Sequence, residues 1–176
     1  MPKLTKDDFL IKLKSLRLLA LDVDGVLTDD SIFFGSDGFE MKKFNISDGL
    51  YIVLAMRAGL EIAIVSGRYS PATDTRMKDL GVKHVLQEMK NKVSQITPLL
   101  KKLKINFKDI AFVGNEILDI SLAKKAGLSI AVADSAPELI EEVDYVTIAK
   151  GGQGAVREII ECYFEAIKKD PKDLLI

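Results

Sequence analysis

The sequence has one cysteine, no tryptophan and almost no net charge, and these shortages exclude several classes of protein. Cys162 has no second cysteine to pair with, so no internal disulfide can form, and we expect the protein in a reducing cytoplasm. The 25 Lys and Arg side chains nearly balance the 26 Asp and Glu side chains. With no basic cluster and no tryptophan, nothing predicts a nucleic-acid surface.

Long apolar segments are also missing. Every hydrophobic run is shorter than the roughly 18 residues that a membrane span needs, and Asp7 and Asp8 stand where a signal peptide would be apolar. We therefore expect neither membrane insertion nor secretion. A chain of 176 residues is long enough for one well-buried domain and short for two, so we predict a single domain over residues 1–176.

The chain is organised around residues 18–29, LLALDVDGVLTD. The first four residues form an apolar run that is too short for a helix with its own core face and is typical of a buried parallel strand. Asp22 and Asp24 follow at the carboxyl end of that strand, where α/β sheets bind ligands. Two such close carboxylates favour a cation between them, and Mg²⁺ prefers oxygen ligands. An Asp-x-Asp pair alone is more often a solvated turn.

Strands and helices alternate along the remaining chain. This alternation predicts right-handed βαβ units and a three-layer α/β/α sandwich with a mostly parallel, Rossmann-like sheet. Residues 1–16 are predicted to form an additional helix with Thr5 as its N-cap. A second helix is predicted to begin with Ser47 or Asp48 as its cap.

Residues 31–44 are predicted to form a small β-hairpin, because two apolar runs flank the turn sequence GSDG. So small a unit cannot bury its own aromatic side chains. We expect these to be exposed and covered by another subunit, the alternative being that they fold back onto the parent domain. They are Phe33, Phe34, Phe39 and Phe44.

The residues that phosphoryl transfer requires have candidates at the predicted strand ends. Asp22 would attack phosphorus, and Asp24 would serve first as general acid and then as general base. Ser66 follows a second buried strand, and Lys92 begins a later helix. Each of these two is ordinary alone, but their order in the chain suits phosphate binding.

Together these motifs resemble the haloacid dehalogenase (HAD) superfamily. DVDGVLTD resembles its first motif, Ser66 and Lys92 fit the second and third, and GNEILD at residues 114–119 resembles the fourth, which completes the metal site. The usual fourth motif has Asp where this chain has Asn115, although an amide oxygen can also bind Mg²⁺. The resemblance implies a Mg²⁺ site formed by Asp22, Asp24 and Asn115, with Glu116 and Asp119 available to support it.

Within the superfamily the chain resembles the KDO 8-phosphate phosphatases, which are sugar-acid phosphatases without a cap domain. The likeness rests on DVDGVLTDD, the hairpin, KKFNISDGL, VSGR, AVADS and GGQGAVRE, and it spans residues 18–160. It implies hydrolysis of 3-deoxy-D-manno-octulosonate (KDO) 8-phosphate through an aspartyl-phosphate, in lipopolysaccharide biosynthesis. It also implies a Mg²⁺-dependent homotetramer in which the hairpins assemble centrally and a neighbouring subunit helps to close each site.

The resemblance further implies a set of substrate contacts. Arginines suit a sugar acid, because a guanidinium can bind a carboxylate at two points. One basic contact of the family falls where this chain has Val53. The glycine-rich loop before Arg157 is either a phosphate loop or a turn into the last helix. The implied contacts are Asp24, Asn45, Ile46, Ser47, Asp48, Gly49, Arg68, Arg76 and Lys92.

Three other functions stay open on the sequence. The sequence GNE at the start of the fourth motif also resembles the motif of phosphatases that act on sialic-acid-type 9-phosphates, with N-acetylneuraminate or KDN as the sugar. Asn115 is compatible with a HAD-fold binding protein that has lost turnover. A phospho-acceptor signalling domain would use Asp22 as the modified residue but would not need Asp24.

Overall fold

The structure is a computed structural model that describes residues 4–175. Its strands follow the apolar runs of the sequence, because each run is short, rich in branched side chains and bounded by polar or glycine residues. In chain order they are β1 (Leu18–Leu21), β2 (Phe33–Phe34), β3 (Glu40–Met41), β4 (Glu61–Val65), β5 (His84–Leu86), β6 (Ile110–Gly114), β7 (Leu128–Ala131) and β8 (Tyr145–Val146).

Six of these strands form one sheet in the order β5-β4-β1-β6-β7-β8, and every pairing in it is parallel. β1 lies between β4 and β6, with Leu19 opposite both Ile62 and Ala111. Counting only the strands of this sheet, the order is 3-2-1-4-5-6, that of a Rossmann fold, and the order in which strands are added switches sides once, between β1 and β6. It differs from the flavodoxin-like order of phospho-acceptor domains, which removes support from that alternative.

The helices cover both faces of the sheet, as predicted. α1, α2, α3 and α7 pack on one face, where Leu19 and Leu21 of β1 join the core. α4, α5 and α6 pack on the other, with Leu18 and Ala20. The helices are α1 (Lys6–Lys14), α2 (Ile46–Arg57), α3 (Pro71–Leu80), α4 (Lys92–Leu103), α5 (Ile120–Ala123), α6 (Pro137–Ile140) and α7 (Ala155–Ile167), with 3-10 turns at Phe107–Asp109, Ile117–Asp119 and Pro171–Leu174.

The N-terminal helix is docked on the sheet. Thr5 caps α1 by accepting a hydrogen bond from the Asp8 N–H, as predicted. Phe9 stacks on Tyr145 with ring centroids 3.9 Å apart, and Lys12 binds Asp144 at 3.2 Å. The predicted helix of residues 1–16 is therefore shorter at its C-terminal end, and residues 1–3 lie outside the described part of the chain.

The predicted hairpin is present as β2 and β3, which pair in antiparallel register with Phe33 opposite Met41. Phe33, Phe34 and Phe39 are exposed, as expected for so small a unit. Phe44 is different: it is only partly exposed and packs against the core on the α2 side of the sheet. The prediction was wrong for Phe44, because this residue directly precedes α2 and turns inward with it.

The predicted cap of α2 is also corrected. Asn45 is the N-cap, and its side-chain oxygen accepts hydrogen bonds from the N–H groups of Ser47 and Asp48. Ser47 and Asp48 were both plausible caps by residue type, but the helix begins before them. Within residues 4–175, no helix combines the length and the apolar character needed to cross a bilayer.

Candidate active site

The polar residues that follow β1, β4 and β6 meet at one edge of the sheet. Because β1 pairs with both of the other strands, their carboxyl ends are adjacent. A cavity of about 630 Å³ opens at this edge. It brings together seven of the residues that the sequence singled out, which are Asp22, Asp24, Ser66, Arg68, Lys92, Asn115 and Glu116.

Lys92 links the first and fourth motifs. Its ammonium lies 2.7 Å from Asp22 Oδ2 and 2.6 Å from Asp119 Oδ1, and all three side chains are buried or nearly so. Asn91 caps the helix that carries Lys92 by accepting from the Ser94 N–H, which fixes where α4 begins. The lysine therefore stands beside the proposed nucleophile with a second carboxylate holding it there.

Burial raises the pKa of Asp22 to about 7; the charge of Asp119 adds to the rise and Lys92 opposes it. For Lys92 itself, burial alone would lower the pKa, but the charges of Asp22 and Asp119 together raise it. One lysine thus serves two buried carboxylates, and the Asp22 carboxylate remains short of positive charge. A further cation beside Asp22 would favour its ionised form.

The backbone turn after Asp22 brings Asn115 close to the first motif. Gly25 has φ +75°, and a Cβ at this position would lie 1.9 Å from Asn115 Nδ2, so only glycine lets the two loops approach this closely. The Asp22 carboxylate, the Asn115 amide oxygen and the backbone carbonyl of Asp24 are hard oxygen donors of the kind that Mg²⁺ prefers. The residues present therefore fit a divalent metal site.

Asp119 does not line this cavity, whereas Glu116 does. One oxygen of Asp119 binds Lys92, and the other accepts from the N–H groups of Asn115 and Glu116. Glu116 is exposed and accepts from the Ile117 N–H. Among residues 4–175 there is no group of three or more His, Cys, Asp or Glu side chains placed to hold a metal. A site in this cavity would depend on the mixed donor set of two aspartates and an asparagine.

The hairpin contributes two charged side chains that the sequence analysis missed. Lys42 lies 2.5 Å from Asp24 Oδ1, and Glu40 binds Arg68 at 2.7 Å. Side chains two apart in an extended segment share a face, so Glu40 of β3 and Lys42, the residue after it, both point to the parent domain while Met41 is exposed. This alternation was visible in the sequence, but the direction in which the hairpin folds was not.

The implied substrate contacts of residues 45–49 lie outside this cavity. Asn45 donates to the Gly152 carbonyl, and Ile46 is exposed. Asp48 is only 1% exposed, and one of its oxygens accepts from the Arg157 N–H at 2.7 Å. Burial raises the pKa of Asp48. Its side chain therefore connects α2 to the start of α7, and its substrate role stays a prediction.

Arg76 lies in a different depression, of about 440 Å³, between the hairpin and α3. It binds Asp79 at 3.0 Å, and its guanidinium packs against Gly49, where a Cβ would be 2.2 Å from Arg76 Nη2. Within one protomer Arg76 and Asp22 thus belong to separate concave surfaces, and the implied substrate contact of Arg76 also stays a prediction.

The glycine-rich loop before α7 packs against the first motif. A Cβ at Gly151 would lie 1.8 Å from the Gly25 carbonyl oxygen, and one at Gly152 would lie 2.5 Å from the Thr28 carbonyl carbon. The Gly152 N–H donates to the Val26 carbonyl. These contacts favour the interpretation of the loop as a turn that supports residues 25–29 over that of a phosphate loop.

Comparison with known proteins agrees with this arrangement. A model of the haloacid dehalogenase-like hydrolases matches residues 83–160. The chain is similar to the 3-deoxy-D-manno-octulosonate 8-phosphate phosphatase KdsC of Escherichia coli strain K12, with 44% identity over 154 residues, which is 88% of this chain and 82% of that protein.

Two solved structures are similar over nearly the whole chain. The 3-deoxy-D-manno-octulosonate 8-phosphate phosphatase of Yersinia pestis has a TM-score of 0.90 and 36% identity, covering 93% of this chain and 88% of that one. The phosphatase of the same name from Moraxella catarrhalis, in complex with magnesium, phosphate and KDO, has a TM-score of 0.89 and 35% identity, covering 92% and 93%.

Proposed function

Because this chain belongs to the KDO 8-phosphate phosphatase family of the haloacid dehalogenase-like hydrolases, we propose that it hydrolyses KDO 8-phosphate to KDO and phosphate. The observation that carries this proposal is the position of Asp22. Its carboxylate stands at the end of β1, 2.7 Å from Lys92, with Asp24 and Arg68 in the same cavity.

The first step transfers the phosphoryl group to the protein. One oxygen of the Asp22 carboxylate attacks phosphorus as the bond from phosphorus to the sugar oxygen breaks. Asp24 gives its proton to the departing sugar oxygen, so the sugar leaves as an alcohol. Lys92 balances the negative charge that passes between Asp22 and the phosphoryl oxygens. The Ser66 hydroxyl, which donates to the Arg68 carbonyl at 3.1 Å, would turn to bind one of those oxygens.

The second step returns Asp22 to its carboxylate form. Asp24, now ionised, takes a proton from a water molecule whose oxygen attacks phosphorus, and the bond from phosphorus to Asp22 breaks. Phosphate leaves, Asp24 is again protonated, and the sum of the two steps is hydrolysis of one ester bond by one water molecule. A single carboxyl group thus performs both proton transfers.

HAD phosphatases use a divalent metal, and we assign Mg²⁺ here to the Asp22 carboxylate, the Asp24 carbonyl and the Asn115 amide. When bound, the ion supplies positive charge that draws phosphate and nucleophile together. The raised pKa of Asp22 supports this assignment, because burial without a further cation leaves its charge poorly balanced.

The substrate and the assembly are assigned on the same basis. Arg68 is the cavity's candidate for the sugar carboxylate, since its guanidinium lines the cavity beside Asp24. The exposed side chains of Phe33, Phe34 and Phe39 support the homotetramer that the family resemblance implies, because association of hairpins would cover them. The single free Cys162 supports a cytoplasmic location.

A steady-state assay tests the proposed function. Purified protein with MgCl₂ is expected to release phosphate from KDO 8-phosphate with a larger kcat/KM than from N-acetylneuraminate 9-phosphate or KDN 9-phosphate. Asp22→Asn is expected to abolish release from all three. A larger kcat/KM on a nine-carbon sugar would transfer the assignment to that substrate, and no release from any sugar phosphate would contradict phosphatase function. Sedimentation equilibrium measures the assembly state.

A further inference from the structure

The hairpin makes a closed set of charge contacts with the candidate active site. Lys42 lies 2.5 Å from Asp24 Oδ1 and 3.9 Å from Glu40 Oε1. Arg68 lies 2.7 Å from Glu40 Oε2 and 4.0 Å from Asp24 Oδ2. Positive and negative side chains alternate around this set of four, which we call the hairpin charge ring.

We propose that Glu40 and Lys42 are positioning residues of the active site. From outside the cavity, Lys42 holds Asp24 in place and Glu40 holds Arg68. This inference rests on the proposed roles of Asp24 as acid and base and of Arg68 as the carboxylate ligand. Lys42 binds Asp24 through Oδ1 and leaves Oδ2 without a hydrogen bond from the ring. Glu40 binds Arg68 through Nη2 and leaves Nη1 toward Asp24. Asp24 Oδ2 and Arg68 Nη1 face each other at 4.0 Å, which is beyond hydrogen-bond distance, so a substrate group can still bind to either atom.

Burial distinguishes this arrangement from a surface ion pair. The Lys42 side chain is 0% exposed, and Glu40 is 12% exposed, whereas the neighbouring Lys43 side chain is 64% exposed. A lysine is rarely buried unless it is paired, and a buried pair is sensitive to the removal of either member. Neither Glu40 nor Lys42 lines the cavity that holds Asp22, so neither is placed to touch the reacting atoms.

The geometry also gives the hairpin a function within its own protomer. Phe33 and Phe34 form its first strand and Phe39 follows its turn, and all three are exposed. Glu40 of β3 and Lys42, directly after β3, hold Arg68 and Asp24. A displacement of β3 would therefore move the candidate acid and the candidate carboxylate ligand together. Small misplacements of this kind can reduce turnover by about a hundredfold.

The experiment compares Lys42→Met with Lys43→Met, which removes the adjacent exposed lysine. K42M is expected to lower kcat on KDO 8-phosphate by about tenfold to a hundredfold, while K43M stays within about twofold of wild type. On p-nitrophenyl phosphate, whose leaving group needs no proton, K42M is expected to slow formation of the phosphoenzyme much less. An equal loss in the rate of phosphoenzyme formation from both substrates would mean that Lys42 is only structural and would overturn the proposal.

A double-mutant cycle tests whether Lys42 acts through Asp24. In an Asp24→Asn background, K42M is expected to cause little further loss in the single-turnover rate at which Asp22 gains a phosphoryl group. A full additional loss in that background would refute the assignment. If thermal unfolding shows that K42M is not folded, Lys42→Gln replaces it in the same cycle, because glutamine keeps a hydrogen-bond donor.

Glu40 is tested with and without a carboxylate on the substrate. Glu40→Gln is expected to raise KM for KDO 8-phosphate several-fold and to leave KM for p-nitrophenyl phosphate, which has no carboxylate, unchanged. A parallel rise for both substrates would overturn the role of Glu40. Wild-type turnover of the sugar phosphate tests the proposed function separately: if it is absent, that function fails. The coupling between positions 24 and 42 is then measured in hydrolysis of the phosphoenzyme formed from p-nitrophenyl phosphate, because Asp24 acts as the base in that step whatever the leaving group was.

Discussion

Asp119 binds the Lys92 ammonium at 2.6 Å with one carboxylate oxygen, while its other oxygen accepts from the Asn115 N–H at 2.9 Å. The same side chain thus connects the lysine beside the nucleophile with the loop that carries the candidate metal ligand. Gly114 makes this connection possible, because a Cβ at this position would lie 2.7 Å from Asp119 Cβ. Asp119 therefore supports the site without facing the metal.

Asp119→Ala is expected to lower the free energy of unfolding by about 2–4 kcal/mol, because the buried Lys92 ammonium and the buried Asn115 N–H each lose a partner. It is also expected to lower kcat, since both Lys92 and Asn115 lose their support. Urea unfolding and phosphate release measure the two effects. Glu142→Ala, which breaks the exposed pair with Lys124, is the control and is expected to change stability by under about 1 kcal/mol. Equal effects of the two variants would contradict this role.

The part of the site that could be predicted from the sequence is the part that follows strands directly. Asp22, Ser66 and Asn115 each come after a short apolar run, and the carboxyl ends of adjacent parallel strands share an edge. The order of the motifs along the chain was therefore enough to predict that these residues lie close together. Glu40 and Lys42 could not be predicted, because their contacts depend on how the hairpin folds over the domain. The same holds for Asp48, whose partner is 109 residues away in the chain.

Asp48 supplies a cap that α7 lacks. The N-cap of α7 is Gly154, which has no side chain, and Asp48 accepts from the Arg157 N–H instead. Asp48→Ala is expected to lower the free energy of unfolding by about 1–3 kcal/mol, because that N–H loses its partner. Asp37→Ala, in the exposed hairpin turn, is the control. Chemical denaturation measures both, and a change no larger for D48A than for D37A would contradict the capping role.

The pH dependence of stability provides a separate test of Asp48. Burial raises its pKa above the ordinary value of 3.8, so the folded protein binds this proton more tightly than the unfolded chain does. The stability of wild type relative to Asp48→Asn is therefore expected to be greatest below about pH 4 and to fall as pH rises through the raised pKa. Denaturation midpoints of both proteins across this range measure the difference. A difference that rises with pH would show that the pKa is lowered instead.

Alanine substitutions at Gly25 and Gly38 distinguish the effect of backbone strain from that of a steric clash with Asn115. Both have positive φ, at +75° and +81°, but a Cβ at Gly38 meets nothing within 4 Å. Each substitution to alanine is expected to lower stability by about 1 kcal/mol through strain. Only Gly25→Ala should also displace Asn115, and with it abolish the rise in melting temperature caused by MgCl₂. Equal responses of the two variants to MgCl₂ would place the ion elsewhere.

Asn115→Asp tests what the departure from the usual fourth motif does. A second carboxylate beside buried Asp22 adds negative charge that Lys92 alone does not balance, so the metal-free variant is expected to be less stable than wild type. With Mg²⁺ the same charge attracts the ion, and its affinity is expected to rise on the order of tenfold. The stability of the variant is thus expected to fall without the metal and to recover with it. Isothermal titration calorimetry measures the affinity for Mg²⁺, and thermal unfolding with and without MgCl₂ measures the stability. Asn106→Asp, an exposed cap far from the cavity, should show neither effect. If N115D and N106D bind Mg²⁺ equally, position 115 is not a ligand, and the missing charge has no bearing on the metal.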